Sequence, residues 1–311
     1  MSLRAWLTAG LVIVAGGFAL HFGLTFPWAR TFDALADADW LLLAAASAIN
    51  IVSLAAKGGT WYILLSRLAP VSLRTAQAAT FVGAAVNSIS ISVSGEAARC
   101  QVAGSRDGVS LGAAAASLVA TRLVEALGLV LFLGLAFVVL PPWPSARMLG
   151  VGLLVAGAAF MLGYRLVPWD RIHSRALGRW HETFIRIAAG HSHRGLVVAV
   201  ALAAASWVAQ WFTYHWSISA THVAITPAVS LAALVMSNVA GILRLTPGNI
   251  GVMQGSLMLG LSAFHVPIAN ALAGGLALQA VEVLPVLAIG MAIVGRRGLR
   301  QLVTKRAAAL Q

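Results

Sequence analysis

The chain has 311 residues, of which 60% are hydrophobic and 10% charged. A soluble domain carries about 25% charged residues, so the composition excludes a soluble globular fold and points to a chain embedded in lipid. The formal net charge of +12 is assigned to cytoplasmic loops rather than to nucleic-acid binding, because Lys and Arg collect on the inner side of membrane proteins. Cys100 is the single cysteine, which excludes an intrachain disulfide and a cysteine-based metal site.

Apolar segments are predicted at 6–27, 39–66, 73–94, 109–140, 146–167, 195–220, 228–245, 252–266 and 268–295. Segments of about 20 residues are long enough to cross a ~30 Å hydrocarbon core as helices. The first is read as a retained signal anchor: Arg4 precedes it and no small-x-small cleavage site follows. The loop 28–39 sets Asp33, Asp37 and Asp39 against Arg30. Arg67 and Arg74 flank the next connection. PPWP at 141–144 reads as a turn. The loop 165–194 carries Arg165, Arg171, Arg175, Arg179, Arg186 and Arg194 against Asp170 and Glu182. Within it Trp169, Ile172, Trp180, Phe184 and Ile187 can share one helix face, which predicts a basic interfacial helix. Its His173, His181, His191 and His193 are irregularly spaced with few carboxylates, so no metal site is expected. The loop near 220–227 has no charge, and the tail holds Arg296, Arg297, Arg300, Lys305 and Arg306.

The positive-inside rule places 67–74, 165–194 and the tail together in the cytoplasm. A single crossing by 73–94 breaks that arrangement, because it sends the arginine-rich loop outside. A hairpin that enters from the cytoplasm over about 73–105, turns at Gly95-Glu96-Ala97-Ala98-Arg99 and returns restores it. A second hairpin over 228–266, entering from outside, keeps the tail inside. The expected fold is thus all-α and polytopic, with about six spanning helices and two re-entrant helical hairpins in a single transmembrane domain. Irregular backbone at such depth must be shielded by protein or line a water-filled cavity.

A repeat supports this layout. Aligning 108–127 with 265–284 places Val109 on Val266, Arg122 on Gln279 and Glu125 on Glu282. A glycine-containing break precedes each copy, at 92–99 and 246–254. Repeat A covers about 73–140 and repeat B about 228–295. Entry from opposite sides makes the repeat inverted, an arrangement found in transporters with broken helices near the midplane.

Charges deep in these segments stand out. Arg122 and Glu125 share a helix face three residues apart. Glu282 is equally deep in its own segment, and Lys57 lies ten residues before Arg67. Intramembrane charges are costly and face a cavity or one another. Two readings stay open: ion pairs such as Glu96–Arg99 or Glu125–Lys57 that fasten helices, or a polar cavity with a function.

The run Asn87-x7-Gly95-Glu96-x2-Arg99, the following Gly108-Val109-Ser110, Arg122-x2-Glu125, and Pro247-Gly248-x-Ile250-Gly251-Val252-Met253 together resemble the lysylphosphatidylglycerol synthase transmembrane region, the flippase-like half of the multiple peptide resistance factor. Lys57 and Trp61 match that family's basic-residue-then-Trp pattern. The likeness covers nearly the whole chain. Gln254 and Gln279 stand where the family usually carries Glu and Arg. No lysyl-transfer domain follows in this chain. The resemblance therefore implies lipid handling without lipid synthesis, in a bacterial inner membrane with both termini cytoplasmic. On this view Lys57, Asn87, Glu96, Arg99, Arg122, Glu125, Gln279 and Glu282 face a lipid headgroup, with Lys57, Arg99 and Arg122 on its phosphate. Gly95, Pro247, Gly248, Gly251 and Gln254 form the hairpin breaks and a gate.

The expected ligand is an anionic phospholipid or an isoprenoid-linked lipid, with lipid-modifying enzymes as possible partners and no cofactor. Two other functions compete. Asp37-x-Asp39 in an external loop is a short acidic pair of the kind that holds a metal in membrane glycosyltransferases using polyprenyl-linked donors. An accessory protein of envelope-lipid synthesis that transports nothing would show the same composition.

Overall fold

The computed structural model describes residues 24–90, 94–141, 144–166, 193–241 and 246–308. Every regular element among them is helical. In chain order these are α1 (Trp28–Ala36), α2 (Trp40–Leu65), α3 (Leu73–Ile89), α4 (Ser94–Asp107), α5 (Leu111–Val139), α6 (Ala146–Leu166), α7 (His193–Ser219), α8 (Pro227–Gly241), α9 (Val252–Ser262) and α10 (Ile268–Ala308). A short 3-10 turn covers Pro247–Asn249. The predicted segment 6–27 and the basic loop 165–194 lie mostly outside the described residues.

Among the described residues, five helices are long and apolar enough to cross a membrane: α2, α5, α6, α7 and α10. The protein is a polytopic all-α membrane protein. Its surface and interior follow a membrane solvent. Leu123, Leu135, Val151, Phe160 and Met291 are exposed, while Asn50, Ser53, Thr121, Glu125, Ser206 and Thr213 are buried. Polar groups turn inward because lipid offers them no hydrogen bonds.

The first helical turns follow ordinary capping chemistry. The Asp39 carboxylate accepts from Leu41 N and Leu42 N at 2.9 and 3.0 Å and starts α2. Ser72 starts α3 by accepting from Thr75 N at 3.2 Å. Ser110 starts α5 by accepting from Ala113 N at 3.3 Å. Each side-chain oxygen satisfies one or two of the N–H groups that a helix start leaves unpaired.

Two pairs of shorter helices sit among the long ones. The 17 residues of α3 and the 14 of α4 rise about 25 and 21 Å, short of the ~30 Å hydrocarbon core. They run antiparallel: Gly95 lies against Asn87 and Gly83, and Arg99 reaches Thr80. Asp107 closes the base, accepting from Ser72 N at 2.7 Å and Thr75 Oγ1 at 2.9 Å. The long α5 follows, packed on α2, α4, α6 and α7. In the second pair, α8 and α9 pack together and Ser256 Oγ donates to Ser237 Oγ at 3.3 Å. The long α10 follows and packs on α1, α2, α3, α7 and α9. Hairpin followed by long helix therefore occurs twice among the described residues.

Three local expectations change. Gly95-Glu96-Ala97-Ala98-Arg99, read as a turn, lies in the first turns of α4, which begins at Ser94. Glu96 suits that position, since a carboxylate is favourable in a first helical turn. Residues 28–36, read as a loop, form α1, pinned where Thr31 Oγ1 donates to Ala269 O at 3.2 Å. Finally α10 runs on to Ala308, past the predicted end at 295.

The hairpin base carries a pH prediction. Slight burial pushes the Asp107 carboxyl up, but the bonds from Ser72 and Thr75 outweigh this and hold it below its ordinary value. A carboxylate favoured in the folded state adds stability above its unfolded pKa and loses it as pH falls through the folded pKa. Asp107→Asn is expected to cost about 1 kcal/mol at neutral pH, a cost that shrinks as pH falls below the ordinary aspartate value and vanishes only below the lowered folded pKa. Thermal melting across this pH range checks it.

Candidate functional site

The charged residues of the membrane interior converge from α2, α4, α5 and α10. Arg122 Nη2 donates to Glu96 Oε1 at 2.6 Å, and Arg122 Nη1 donates to Glu125 Oε2 at 3.0 Å. One guanidinium thus bridges a carboxylate of the hairpin and one of its own helix, three residues on. Its side chain is 53% exposed, against 8% for Glu125. Of the pairs named for the helix-fastening reading, neither Glu96–Arg99 nor Glu125–Lys57 is an ion pair within 4.0 Å among the described residues. Helix spacing explains the second contact: residues i and i+3 are neighbours on a helix surface.

Arg99 goes elsewhere. It is buried beneath α2, its guanidinium 4.5 Å from the centroid of the Trp61 ring. Its Nη2 donates to Thr80 Oγ1 at 3.2 Å, and its Nε has no hydrogen-bond partner among the described residues. Trp61 is fully buried and its Nε1 donates to Ser117 Oγ at 2.9 Å. Arg99 and Trp61 therefore join α2, α3, α4 and α5, with a cation–π contact as part of the joint.

Lys57 stands apart from both carboxylates of the Arg122 bridge. Its Nζ lies 5.3 Å from the centroid of the Trp207 ring. Among the described residues no carboxylate comes within 4.0 Å of it. Trp207 is fixed in turn, because its Nε1 donates to Glu125 O at 3.0 Å. Across the same space Glu282 of α10 accepts a short hydrogen bond from Gln210 Nε2 of α7. Ser53 Oγ donates to Gln210 Oε1 at 3.3 Å and to Ser206 O at 2.8 Å. The single Ser53 proton is shared between these two acceptors, and the Gln210 NH2 end points at the carboxylate.

These side chains open on a cavity of about 420 Å³. Lys57, Asn87, Arg122 and Glu282 line it, as expected from the sequence, and so does Gly248. Gln210, Tyr214, Ser237, Asn238, Thr246 and Asn249 line it as well and were not expected. A second cavity of about 170 Å³ adjoins it and shares Lys57, Gln210 and Glu282. Glu96, Arg99, Glu125, Gln254 and Gln279 are absent from both linings. The missed residues have a signal in the sequence. For Gln210 and Tyr214 it is the spacing of Ser206, Gln210, Thr213 or Tyr214, and Ser217, three or four residues apart in a largely apolar segment, the mark of one polar helix face.

The two hairpin breaks meet beside this cavity. Asn87 Oδ1 accepts from Gly95 N at 3.0 Å, which satisfies an early N–H of α4 and explains the Asn-x7-Gly spacing. The hydroxyls of Ser90 and Ser94 hydrogen-bond across the break. Gly248 has φ +58°, and a Cβ there would stand 2.5 Å from Ser88 O. Gln279 Nε2 donates to Gly248 O at 3.1 Å. At the start of α9, Gln254 Oε1 accepts from Gly251 N at 2.7 Å. Both glutamines therefore hold backbone of the second break. Gly251 takes the positive φ of 85° at the head of α9.

The family described as lysylphosphatidylglycerol synthase TM region matches residues 7–290. The chain belongs to this family. No curated protein matches it. The match to the lysylphosphatidylglycerol synthase TM region family covers both hairpins, four of the five candidate spans in full, the fifth as far as residue 290, and every cavity residue named above. The family is the membrane part of the synthase, a flippase-like region, and the present chain is a membrane protein of that kind.

The Arg122 bridge carries a prediction. Arg122→Ala strands the buried Glu125 carboxylate. It is expected to lower stability by up to about 3 kcal/mol, the low end for a broken buried pair, because the guanidinium is half exposed. Adding Glu125→Gln should recover most of the loss. Melting temperatures of the two variants check it. Recovery by neither Glu125→Gln nor Glu96→Gln would show that Arg122 does not act through these carboxylates.

Proposed function

We propose that this protein is a lipid translocase of the bacterial inner membrane whose central cavity receives the phosphate-bearing headgroup of an envelope lipid. Anionic phospholipids and isoprenoid-linked carriers share that group. The observation that carries the reading is Lys57: a lysine more than halfway along a spanning helix, facing a polar cavity, with no carboxylate within 4.0 Å among the described residues. An intramembrane charge without an internal partner is a functional-site signal. Phosphate oxygens are strong acceptors for an ammonium group, and the amides and hydroxyls around the cavity supply further donors. Arg122 adds a second cation at the wall, already shared between Glu96 and Glu125.

Movement follows from the hairpins. A cavity at the meeting of two breaks opens to one side when one break parts from its neighbours and to the other side when the second does. With Arg67 and Arg74 cytoplasmic, the first hairpin enters from the cytoplasm and both termini share that side. The Gly248–Ser88 approach is then the closed gate. No chemical step falls to the protein on this reading. Against the glycosyltransferase alternative stands the capping of α2 by Asp39 Oδ1.

The test is translocation in vesicles. The purified chain is reconstituted with a headgroup-labelled phospholipid, and label reaching the opposite leaflet is followed by dithionite quenching. Protein-dependent loss of the protected fraction, abolished by Lys57→Met, is the expected result. A leaflet distribution identical to empty vesicles, with lipid still bound, would favour a non-transporting accessory protein.

A further inference from the structure

We infer that the second hairpin, α8 with α9, is the one that opens, and that Gln254 and Gln279 form its uncharged latch. This rests on the alternating opening proposed above and assigns the movement to one hairpin.

The two repeats place corresponding residues at this point. In the first, the third residue of α4 is Glu96, and Arg122 of α5 donates to it at 2.6 Å. In the second, the third residue of α9 is Gln254, and the residue aligned with Arg122 is Gln279 of α10. Gln254 packs on α10, since a Cβ at Gly275 would lie 3.4 Å from its Cγ. Gln279 follows Gly275 by about one helical turn. Two amides thus occupy the place that an ion pair fills in the first repeat.

Each amide is half used. Gln254 Oε1 accepts from Gly251 N at 2.7 Å, and Gln279 Nε2 donates to Gly248 O at 3.1 Å. Those backbone partners fix which end of each amide is the donor. The other ends, Gln254 Nε2 and Gln279 Oε1, are buried without a hydrogen-bond partner among the described residues. A buried polar group left unpaired weakens the state that holds it. Parting the second break from α10 therefore costs one neutral bond, from Gln279 to Gly248, and no ion pair among the described residues.

Charge holds the first hairpin. Parting α4 from α5 separates Glu96 from Arg122, and a charge-assisted bond is about twice as strong as a neutral one. Arg99 Nε is also without a partner there, but its guanidinium is fixed by Thr80 and the Trp61 ring. Asp107 closes the base of that hairpin on Ser72 and Thr75. The matching tie within the second hairpin is the neutral Ser256–Ser237 contact at 3.3 Å.

Hydrogen–deuterium exchange of the purified full chain in nanodiscs, read by mass spectrometry, reports how easily each break opens. In the wild type, amides over 251–256 are expected to exchange about tenfold faster than those over 95–100, the step between a neutral and a charge-assisted contact. Gln254→Glu and Gln279→Arg together rebuild in the second repeat the pair of the first. The double variant is expected to slow exchange over 251–256 by about tenfold, whereas neither single change slows it. The wild-type comparison needs no substitution and stands even where a variant fails to fold. Faster exchange over 95–100 than over 251–256 overturns the assignment of the moving hairpin. A folded double variant that exchanges as the wild type does, or a single change that slows exchange as much as the double one, overturns the latch. Translocation in vesicles is read separately: the expected exchange in a chain that moves no lipid keeps the latch and removes the translocase.

Discussion

Lys57→Met is expected to lower headgroup-lipid affinity by about 30-fold, or roughly 2 kcal/mol, while leaving the melting temperature close to that of the wild type. The two halves of this expectation have separate causes. Loss of affinity follows because the ammonium group is the one lining cation without a carboxylate partner within 4.0 Å among the described residues. A phosphate that loses it keeps only neutral donors and the already bridged Arg122. Retained stability follows because no internal ion pair is broken and the Trp207 ring stays fixed by its own bond to Glu125 O. Met keeps the length and apolar stem of the side chain. Lysine that merely fastened helices would behave the other way, with a fall in melting temperature and no change in bound lipid. Lipid titration and thermal melting on the same preparations separate the two.

Gly95→Val is expected to cost about 3 kcal/mol, the upper part of the usual range for overpacking, and to abolish lipid retention with it. A Cβ at Gly95 would run into the Gly83 carbonyl oxygen and the Asn87 side chain. Backbone on the opposing helix cannot step aside as a flexible side chain does. The same displacement breaks the Asn87 Oδ1 bond to Gly95 N and moves Ser90 away from Ser94. It also shifts α4, and with it the Glu96 end of the Arg122 bridge. Gly108→Ala is the control: it meets no neighbouring atom and bears only its positive φ of 68°. It is expected to cost about 1–2 kcal/mol without loss of bound lipid. Detergent melting curves and co-purified lipid measure both variants.

Much of the fold was legible in the sequence, because a membrane solvent writes it there. Long apolar segments pointed to about six spans, five of which fall on described residues and form long apolar helices; polar breaks pointed to two interruptions, and the arginine distribution asked for hairpins rather than crossings. The glycine-containing break read at 92–99 overlaps the start of α4 at Ser94. What shifted was the Gly-Glu pair, since helix-start chemistry from Asn87 and Glu96 draws it into α4. Charge alone picked out Lys57, Arg122 and Glu282, which line one cavity. It did not show which charge pairs with which. Arg99 and Arg122 are alike in type and depth, yet one is buried against Trp61 and the other bridges two carboxylates. That difference arises from the antiparallel register of α3 and α4, a tertiary fact. Gln210 and Tyr214 went unnoticed because neutral polar residues in a membrane helix commonly bond within it, as Thr213 does with Ala209 O.

The central claim is that a lipid headgroup enters the cavity around Lys57. Photo-crosslinking tests it most directly. A phospholipid with a diazirine on its headgroup is added to the protein in nanodiscs, irradiated, and the adducts mapped by peptide sequencing. The account predicts adducts on cavity-lining residues of α7 and α8, among them Tyr214 and Asn238, reduced by Lys57→Met. Adducts confined to lipid-facing positions such as Leu135 and Phe160, unchanged by Lys57→Met, would contradict it.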